Sequence, residues 1–239
     1  MFHVKHPVAP IQEAAQAVFG ARYPLAKQYA ALLAGAGVDR GLIGPREADR
    51  LWERHLLNSA VLSELVPQGA RVLDVGSGAG LPGIPLALAR PDLVIALLEP
   101  MARRVAWLQE VLAVLDLAVS VYHGRAEDPQ IRAECGGNDV VTARAVAPLG
   151  RLAGWSLPLV APGGRLLAVK GVSAEQEVAR DLDAVRAAGG APVGINAAEI
   201  VQCGATIVQP PTTVIVVPRL ATKRALCPPR ARQQKRKDR

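Results

Sequence analysis

The sequence predicts an α/β protein with a mainly parallel sheet, helices on both faces of that sheet and a helical N-terminal extension. Seven short apolar runs alternate with helical patterns between residues 71 and 218, which favours parallel strands joined by helices. Before this region, three helical patterns follow one another with no strand pattern between them. We therefore expect a helical extension over residues 1–66, packed on a core over residues 67–218.

Each expected helix and strand can be placed along the chain by the spacing of its apolar residues. The helical patterns of the extension are IQEAAQAVF, YPLAKQYAALLAGAG and PREADRLWERHLLNSAVLSELV, the first two ending at glycines. The expected strands are RVLDVG, LVIALLE, AVSVYHG, DVVTAR, GRLLAVKG, AEIVQCG and TTVIVVP. Helices are expected between them at residues 80–90, 101–115, 128–135, 148–160 and 174–188.

Composition and residue spacing argue against a membrane span, a disulfide framework and a metal site. No run of 18 uncharged apolar residues occurs, so a spanning helix is not expected. The three cysteines are odd in number and widely spaced, and the four histidines form no helical pair at ligand spacing. We expect a reduced, cytoplasmic protein without a bound metal.

The positive charge of the chain is concentrated at its C-terminus. Residues 219–239 hold nine of the 28 basic residues but one of the 21 acidic residues, a net charge of +8. The rest of the chain therefore carries a net charge of −1. Because this tail has few periodic apolar residues, we expect it to be disordered and to contact nucleic acid through its charge.

A glycine-rich segment, VLDVGSGAGLPGIPLAL, joins the first expected strand to the next helix. Glycine recurs at alternate positions from Gly76 to Gly80. A strand, a glycine-rich turn and a helix form the nucleotide-binding crevice of doubly wound sheets. Glu99 ends the second strand, 19 residues after Gly80, which is close to the spacing of about 20 residues that brings a carboxylate to a ribose.

The glycine spacing and a nearby acid favour S-adenosylmethionine over a dinucleotide as the ligand. The loop reads G-x-G-x-G rather than G-x-G-x-x-G. Asp74 would repel a pyrophosphate but attract the ammonium and sulfonium groups of S-adenosylmethionine. We therefore expect Asp74 near the cationic end of the cofactor, with Gly76, Gly78 and Leu81 lining the turn. NAD is the less favoured alternative.

Several segments together resemble the glucose-inhibited division protein B family. They are RLWERHLLNSA, DVGSGAGLPGIPLA, LLEPMARRVAWL, GRAED, VVTARAVAPL and GGRLLAVKG, and the resemblance covers about residues 20–217. Members of that family are bacterial methyltransferases that modify guanine N7 in a loop of small-subunit ribosomal RNA. The resemblance implies a Rossmann-like class I methyltransferase fold with a seven-stranded sheet.

The resemblance also implies which residues hold the cofactor. Gly76 and Leu81 would contact it in the first turn, and Glu99 would hold the ribose. Ala126 and Glu127, in GRAED, would lie beside the adenine ring. The alternative for Glu127 is an acid that caps or begins the following helix.

Two basic residues are the expected catalytic groups. The resemblance places Arg144, in TARA, at the mouth shared by cofactor and substrate. Lys170 ends the fifth strand, and the carboxyl ends of parallel strands converge on the crevice. The alternatives are a surface ion pair for Arg144 and a solvated side chain for Lys170. His55 is expected to be packed within its helix rather than catalytic.

Small-subunit ribosomal RNA, free or in the ribosomal subunit, is the implied substrate, and the chain is expected to act as a monomer. Guanine N7 has a free lone pair, so its methylation needs orientation rather than a general base. Two other functions remain open from the residues alone. One is methylation of a small molecule, and the other is RNA binding without catalysis.

Overall fold

The computed structural model describes residues 11–191 and 198–221, and it confirms the predicted α/β fold class. The N-terminal extension contains α1 (Ile11–Phe19), α2 (Tyr23–Leu32) and the short α3 (Asn58–Ala60). Tighter 3-10 turns flank these helices at Gly20–Arg22, Pro45–Arg50 and Val61–Leu65, and wider π-helical turns at Leu33–Gly37 and Trp52–Leu57. No strand interrupts this part of the chain within the described residues.

The sheet has seven strands, and all seven lie at the predicted positions. They are β1 (Arg71–Val75), β2 (Val94–Glu99), β3 (Ser120–His123), β4 (Asn138–Arg144), β5 (Val160–Lys170), β6 (Glu199–Cys203) and β7 (Thr212–Pro218). Their order is β3-β2-β1-β4-β5-β7-β6, and β7 runs antiparallel to both of its neighbours. The order reverses between β1 and β4, which is where ligands bind in open α/β sheets.

Five helices join the strands of the core at the predicted places. They are α4 (Gly83–Ala89), α5 (Ala102–Leu115), α6 (Pro129–Cys135), α7 (Leu149–Ser156) and α8 (Ala174–Ala187). A 3-10 turn, Leu157–Leu159, continues α7. No helix among the described residues is long and apolar enough to cross a bilayer.

The sheet separates two apolar layers, and successive strand residues alternate between them. Val72 and Leu97 face a layer formed by the N-terminal extension, α4 and α5. Leu73 and Leu98 face the opposite layer, which contains α6, α7 and α8. Both faces are therefore covered, which explains why adjacent residues of a central strand, such as Val72 and Leu73, are both apolar and buried.

This alternation decides which layer each polar residue of a strand faces. Asp74, Glu99 and Arg144 fall on the face covered by the N-terminal extension. Lys170 falls on the opposite face, with α7 and α8. The two expected catalytic residues thus leave the sheet on opposite sides of the same edge.

The start of the expected tail is attached to the core. The backbone of Arg219 pairs with Gly163 and Gly164, and its side chain donates to the carbonyl of Pro158. Residues 222–239, which hold the remaining charge of the tail, lie outside the described residues.

Candidate active site

Two adjoining cavities lie at the carboxyl ends of the parallel strands. The smaller, which we call the loop cavity, has a volume of about 380 Å³ and lies between the glycine-rich turn, the end of β2 and the residues after β4. The larger, the outer cavity, has a volume of about 1320 Å³ and lies between the extension and the start of α8. Arg144 lines both cavities. The loop cavity falls within the range of about 300–1,000 Å³ that is typical of small-molecule sites.

Backbone conformation favours glycine at three positions of the turn, and neighbouring protein atoms also crowd Gly76 and Gly80. Gly76, Gly78 and Gly80 all have positive φ, at +72°, +57° and +109°. A Cβ on Gly76 would lie 2.9 Å from Cγ2 of Val146, and one on Gly80 would overlap Ile84. Positive φ disfavours any residue with a Cβ. The missing side chains therefore let the turn fold tightly against the segment after β4.

We expect Gly76→Ala to destabilise the fold more than Gly69→Ala. Both glycines have nearly the same φ, +72° and +67°, but nothing lies within 4 Å of a Cβ on Gly69. The backbone penalty of about 1–2 kcal/mol is common to both variants, and the contact with Val146 is added only at Gly76. Urea unfolding measures the difference. In a Val146→Ala background the penalty of Gly76→Ala should shrink, and equal penalties in both backgrounds would contradict this assignment.

Two hydrogen bonds to the carbonyl of Ala79 hold the glycine-rich turn in place. This carbonyl accepts hydrogen bonds from the Tyr29 hydroxyl, at 3.1 Å, and from Nε1 of Trp107, at 3.0 Å. Both donor side chains are buried, and burial raises the pKa of Tyr29, which keeps its hydroxyl protonated as a donor. The N-terminal extension and α5 thus fix the turn jointly.

Asp74 lies beneath the turn and does not line either cavity. Its buried carboxylate accepts from the backbone N–H of Gly83, at 3.1 Å, and from the Thr142 hydroxyl, at 3.2 Å. Burial raises the pKa of Asp74 to about 6, and these hydrogen bonds oppose that rise. The carboxylate therefore holds the first turn of α4 against β4. Its expected place near the cationic end of a cofactor stays a prediction.

Glu99 lines the loop cavity at the end of β2. Its carboxylate is 1% exposed and accepts from the backbone N–H groups of Gly78, at 2.9 Å, and Met101, at 3.0 Å. A carboxylate offers about four acceptor positions. Two acceptor positions are thus left for a ligand, in a place fixed by two backbone donors. Leu81 lines the same cavity.

Ala126 and Glu127 do not line the loop cavity, unlike Glu99 and Leu81. Ala126 is buried, Glu127 is 3.9 Å from Arg125 on the surface, and neither lines the two cavities. The cap of α6 is Asp128, whose carboxylate accepts from the N–H of Gln130. Contact of Ala126 and Glu127 with the adenine ring stays a prediction.

Arg144 connects the core to the N-terminal extension. Its Nη1 donates to the Ser59 hydroxyl at 3.2 Å. Its Nη2 donates to the Arg54 carbonyl at 3.1 Å and to Nδ1 of His55 at 2.7 Å. Burial lowers the pKa of Arg144 from its usual value. Arg144 is therefore held on the wall between the two cavities.

The residue after Arg144 has an unusual backbone conformation. Ala145 has a φ of +54° and lines both cavities. Such conformations are costly for residues with a Cβ and concentrate at functional sites. Here it turns the chain so that Val146 packs against the glycine-rich turn.

Lys170 lines the outer cavity from the opposite face of the sheet. Its Nζ donates to the carbonyl of Ala147 and to the carboxylate of Glu177, both at 2.7 Å. The Glu177 carboxylate also accepts from the backbone N–H of Leu149, at 2.9 Å. Lys170 thus ties the segment after β4 to α8, and its side chain is 10% exposed.

The family model GidB, described as rRNA small subunit methyltransferase G, matches residues 22–202. The chain belongs to the GidB family. A ribosomal RNA small subunit methyltransferase G of Mycobacterium marinum is 55% identical over 90% of this chain and 92% of its own length. The protein of that name from Salinispora tropica is 53% identical over 96% of this chain and 94% of its own length.

Solved structures confirm the class I methyltransferase fold that was predicted for this GidB protein. The fibrillarin of Aeropyrum pernix, solved with bound S-adenosyl-L-methionine, has a TM-score of 0.50 and 19% identity, over 69% of this chain and 74% of that chain. A TehB-like methyltransferase from Corynebacterium glutamicum has a TM-score of 0.50 and 14% identity, over 73% of this chain and 92% of that chain.

Sequence reasoning missed two residues of the site of this GidB protein. His55 and Glu47 lie beside Arg144, and their side chains are 3.0 Å apart. The helical spacing of the extension gave no sign that this face would meet β4. Across the part of the chain that the structure describes, no three His, Cys, Asp or Glu side chains lie together in a way that could hold a metal ion.

Proposed function

We propose that the protein transfers a methyl group from S-adenosylmethionine to N7 of a guanine in a loop of small-subunit ribosomal RNA. The observation that carries this proposal is the meeting of two cavities at Arg144, one of small-molecule size and one large enough for an extruded base. Membership of the GidB family supports the substrate. The protein acts in the cytoplasm as a monomer.

The residues of the loop cavity fit S-adenosylmethionine. Glu99 presents a fixed carboxylate to the two ribose hydroxyls, beside the turn formed by Gly76, Gly78 and Leu81. Nε of Arg104, which also lines this cavity, is buried without a partner among the described residues. An acceptor on the cofactor would satisfy that donor. Ala126 and Glu127 would meet the adenine ring.

The chemistry needs orientation more than proton transfer. When bound, S-adenosylmethionine supplies an activated methyl group on a sulfonium. Guanine N7 is unprotonated near neutral pH and loses no proton during the transfer, so no general base is required. Holding the two reactants in line supplies up to about 7–11 kcal/mol of the barrier in favourable cases. We assign the orientation of the base to Arg144 and Lys170, which both line the outer cavity.

Arg144 has donors left for the substrate. Three of its five N–H groups donate to the extension, which leaves Nε–H and one N–H on Nη1. We assign these donors to guanine O6 or to a neighbouring phosphate, because the N7 lone pair must stay free. A loop guanine suits this site because extracting a base from a duplex costs a few kcal/mol more.

A labelled methyl donor tests the proposed function. The protein would be incubated with it and with small ribosomal subunits that lack the modification, with a metabolite extract, or with neither. Label in the ribosomal RNA supports the proposal. Label in a metabolite would favour a small-molecule methyltransferase, and RNA binding without label would favour a non-catalytic regulator.

We expect the tail to increase the affinity for RNA without determining which guanine is methylated. Deleting residues 222–239 removes eight basic residues and one acid while keeping Arg219, which is tied to the core. Fewer phosphates would be neutralised, so log K should depend less steeply on log salt, by about 0.7–0.9 for each lost contact. Titration of one RNA across a salt series measures this change, with cofactor affinity as the control. Parallel lines for the full-length and truncated proteins would show that the tail contacts no phosphate.

A further inference from the structure

We propose that Glu47 and His55 position Arg144 for methyl transfer, and that they do so only while His55 is neutral. This inference rests on the proposed function, because it deepens the role of Arg144 at the wall between the two cavities. It concerns two residues of the N-terminal extension, of which the sequence predicts only packing for His55 and no role for Glu47. Neither residue is assigned to the chemical step itself.

The donor and acceptor chemistry fixes the state of His55. Nη2 of Arg144 lies 2.7 Å from Nδ1 of His55, and a guanidinium can only donate. Nδ1 must therefore accept, so the proton of the neutral ring is on Nε2. Nε2 lies 3.0 Å from Oε2 of Glu47, which accepts that proton's hydrogen bond. The geometry thus selects one tautomer of a neutral imidazole.

The hydrogen bonds form a closed circuit that begins and ends at the guanidinium of Arg144 and passes through His55, Glu47 and Arg54. Oε1 of Glu47 accepts from Nη1 of Arg54 at 3.0 Å, and the carbonyl of Arg54 accepts from Nη2 of Arg144 at 3.1 Å. Both N–H groups on Nη2 are therefore occupied by the extension. Ser59 holds Nη1 from the same side. With three contacts, the plane of the guanidinium is fixed, and so is the direction of its two remaining donors.

The arrangement tolerates a neutral His55 but opposes a charged one. Protonated Nδ1 would place an N–H against an N–H of Arg144 at 2.7 Å. The charged groups that face the ring are Arg144 from β4, Glu47 from the preceding turn and Arg54 from its own segment. Burial and the charge of Arg144 lower the pKa of His55 more than Glu47 raises it. His55 is therefore neutral at physiological pH, and acid would break its bond to Arg144.

Sign and direction of the pH effect follow from this lowered pKa. At pH values above the pKa of His55, the neutral ring accepts a hydrogen bond from Arg144 and the site is assembled. As the pH falls through this pKa, His55 gains a proton and Arg144 is released. Guanine N7 is unprotonated throughout the neutral and weakly acidic range, so protonation of the protein should lower the methylation rate on the acid side. Asp74, with a pKa of about 6, titrates in the same range, so the contribution of His55 is the part of the acid limb that His55→Asn removes.

Variants of His55 separate positioning from packing. In His55→Asn, the side-chain carbonyl lies near the position of Nδ1 and accepts from Arg144 without titrating. We expect His55→Ala to reduce kcat by about ten- to a hundredfold at saturating cofactor, with little change in cofactor affinity. We expect His55→Asn to recover most of that loss and to flatten the acid side of the pH profile. His123→Asn is the matched control, because His123 is exposed on β3 and lines neither cavity.

The experiment measures kcat for methylation of small ribosomal subunits at saturating cofactor from pH 5 to 8, by about half-unit steps, a range that spans the usual pKa of histidine. A wild-type kcat for His55→Ala, or an acid limb that is the same in His55→Asn and wild type, would overturn the proposal. A loss in His55→Ala that His55→Asn reverses supports it.

A spectroscopic readout keeps this inference distinct from the proposed function. Nitrogen-15 NMR of the wild-type protein, assigned by comparison with His55→Asn, reports which ring nitrogen of His55 carries the proton. The Nε2–H tautomer at neutral pH supports the proposal, and a proton on Nδ1 overturns it. Absence of methyl transfer by the wild-type protein would overturn the proposed function, and the tautomer would still decide whether Glu47 and His55 hold Arg144.

Discussion

Glu99→Ala is expected to lower the affinity for S-adenosylmethionine at least about tenfold while the protein still folds. A charge-assisted hydrogen bond contributes roughly 1.5–3 kcal/mol, and about 1.4 kcal/mol corresponds to a factor of ten. Glu99 is buried in the loop cavity with two acceptor positions unused, which is the arrangement that two ribose hydroxyls require. Isothermal titration calorimetry on the folded variant measures the affinity.

A second substitution separates loss of ligand contact from disturbance of the turn. Glu99→Gln keeps one acceptor for the N–H of Gly78 or Met101 but removes the charge. It should therefore retain more stability than Glu99→Ala and still lose affinity. Glu110→Gln is the matched control, because Glu110 is exposed on α5 and pairs with Arg40. Unchanged cofactor affinity in both Glu99 variants would refute the assignment.

Arg144→Lys is expected to fold normally, yet to methylate about a hundredfold more slowly at saturating cofactor. A lysine has one ammonium, which cannot reach Ser59, Arg54 and His55 and also direct two donors at a substrate. A misplacement of about 1 Å can cost about a hundredfold in rate. Single-turnover methylation of small ribosomal subunits measures the effect on the chemical step.

The control for Arg144→Lys makes the same chemical change away from the cavities. Arg186 lies on α8, exposed and 3.1 Å from Asp183, so Arg186→Lys should leave the rate unchanged. Near-normal turnover of Arg144→Lys would show that Arg144 only joins the core to the N-terminal extension.

The sheet could be predicted from the sequence because both of its faces are covered. Adjacent apolar residues then occur in strands such as β1 and β4, most of whose positions are buried, and the helices between them show their own spacing. The position of Glu99 could be predicted as well, because a fixed number of residues separates the glycine-rich turn from the end of β2.

The side-chain direction of Asp74 could not be predicted as readily. Its place near the end of β1 is compatible with either the crevice or the layer beneath α4. The structure places its carboxylate under the N–H of Gly83, where a glycine is needed because a Cβ would overlap Leu97 and would also lie 3.0 Å from Oδ2 of Asp74. Lys170 and Arg144 each end a strand, but their side chains face opposite sides of the sheet because strand residues alternate between the two faces.

The contribution of the N-terminal extension to the site could not be predicted from local sequence patterns. His55 and Arg144 are 89 residues apart in the chain, and no periodicity relates them. The segment around His55 also departs from a regular helix, with π-helical turns at Trp52–Leu57. Apolar spacing predicts that such a segment is helical but not which polar face meets the end of β4.

The most direct test of the account is to map the methylated atom in the ribosomal RNA. RNA from treated small subunits would be reduced with borohydride and cleaved with aniline, which breaks the chain at N7-methylguanine, and the break located by primer extension. The account predicts one break at a loop guanine that requires S-adenosylmethionine and the wild-type protein, and that is lost or strongly reduced with Arg144→Lys. Label incorporated into the RNA without a break, or a break of equal strength with Arg144→Lys, would contradict it.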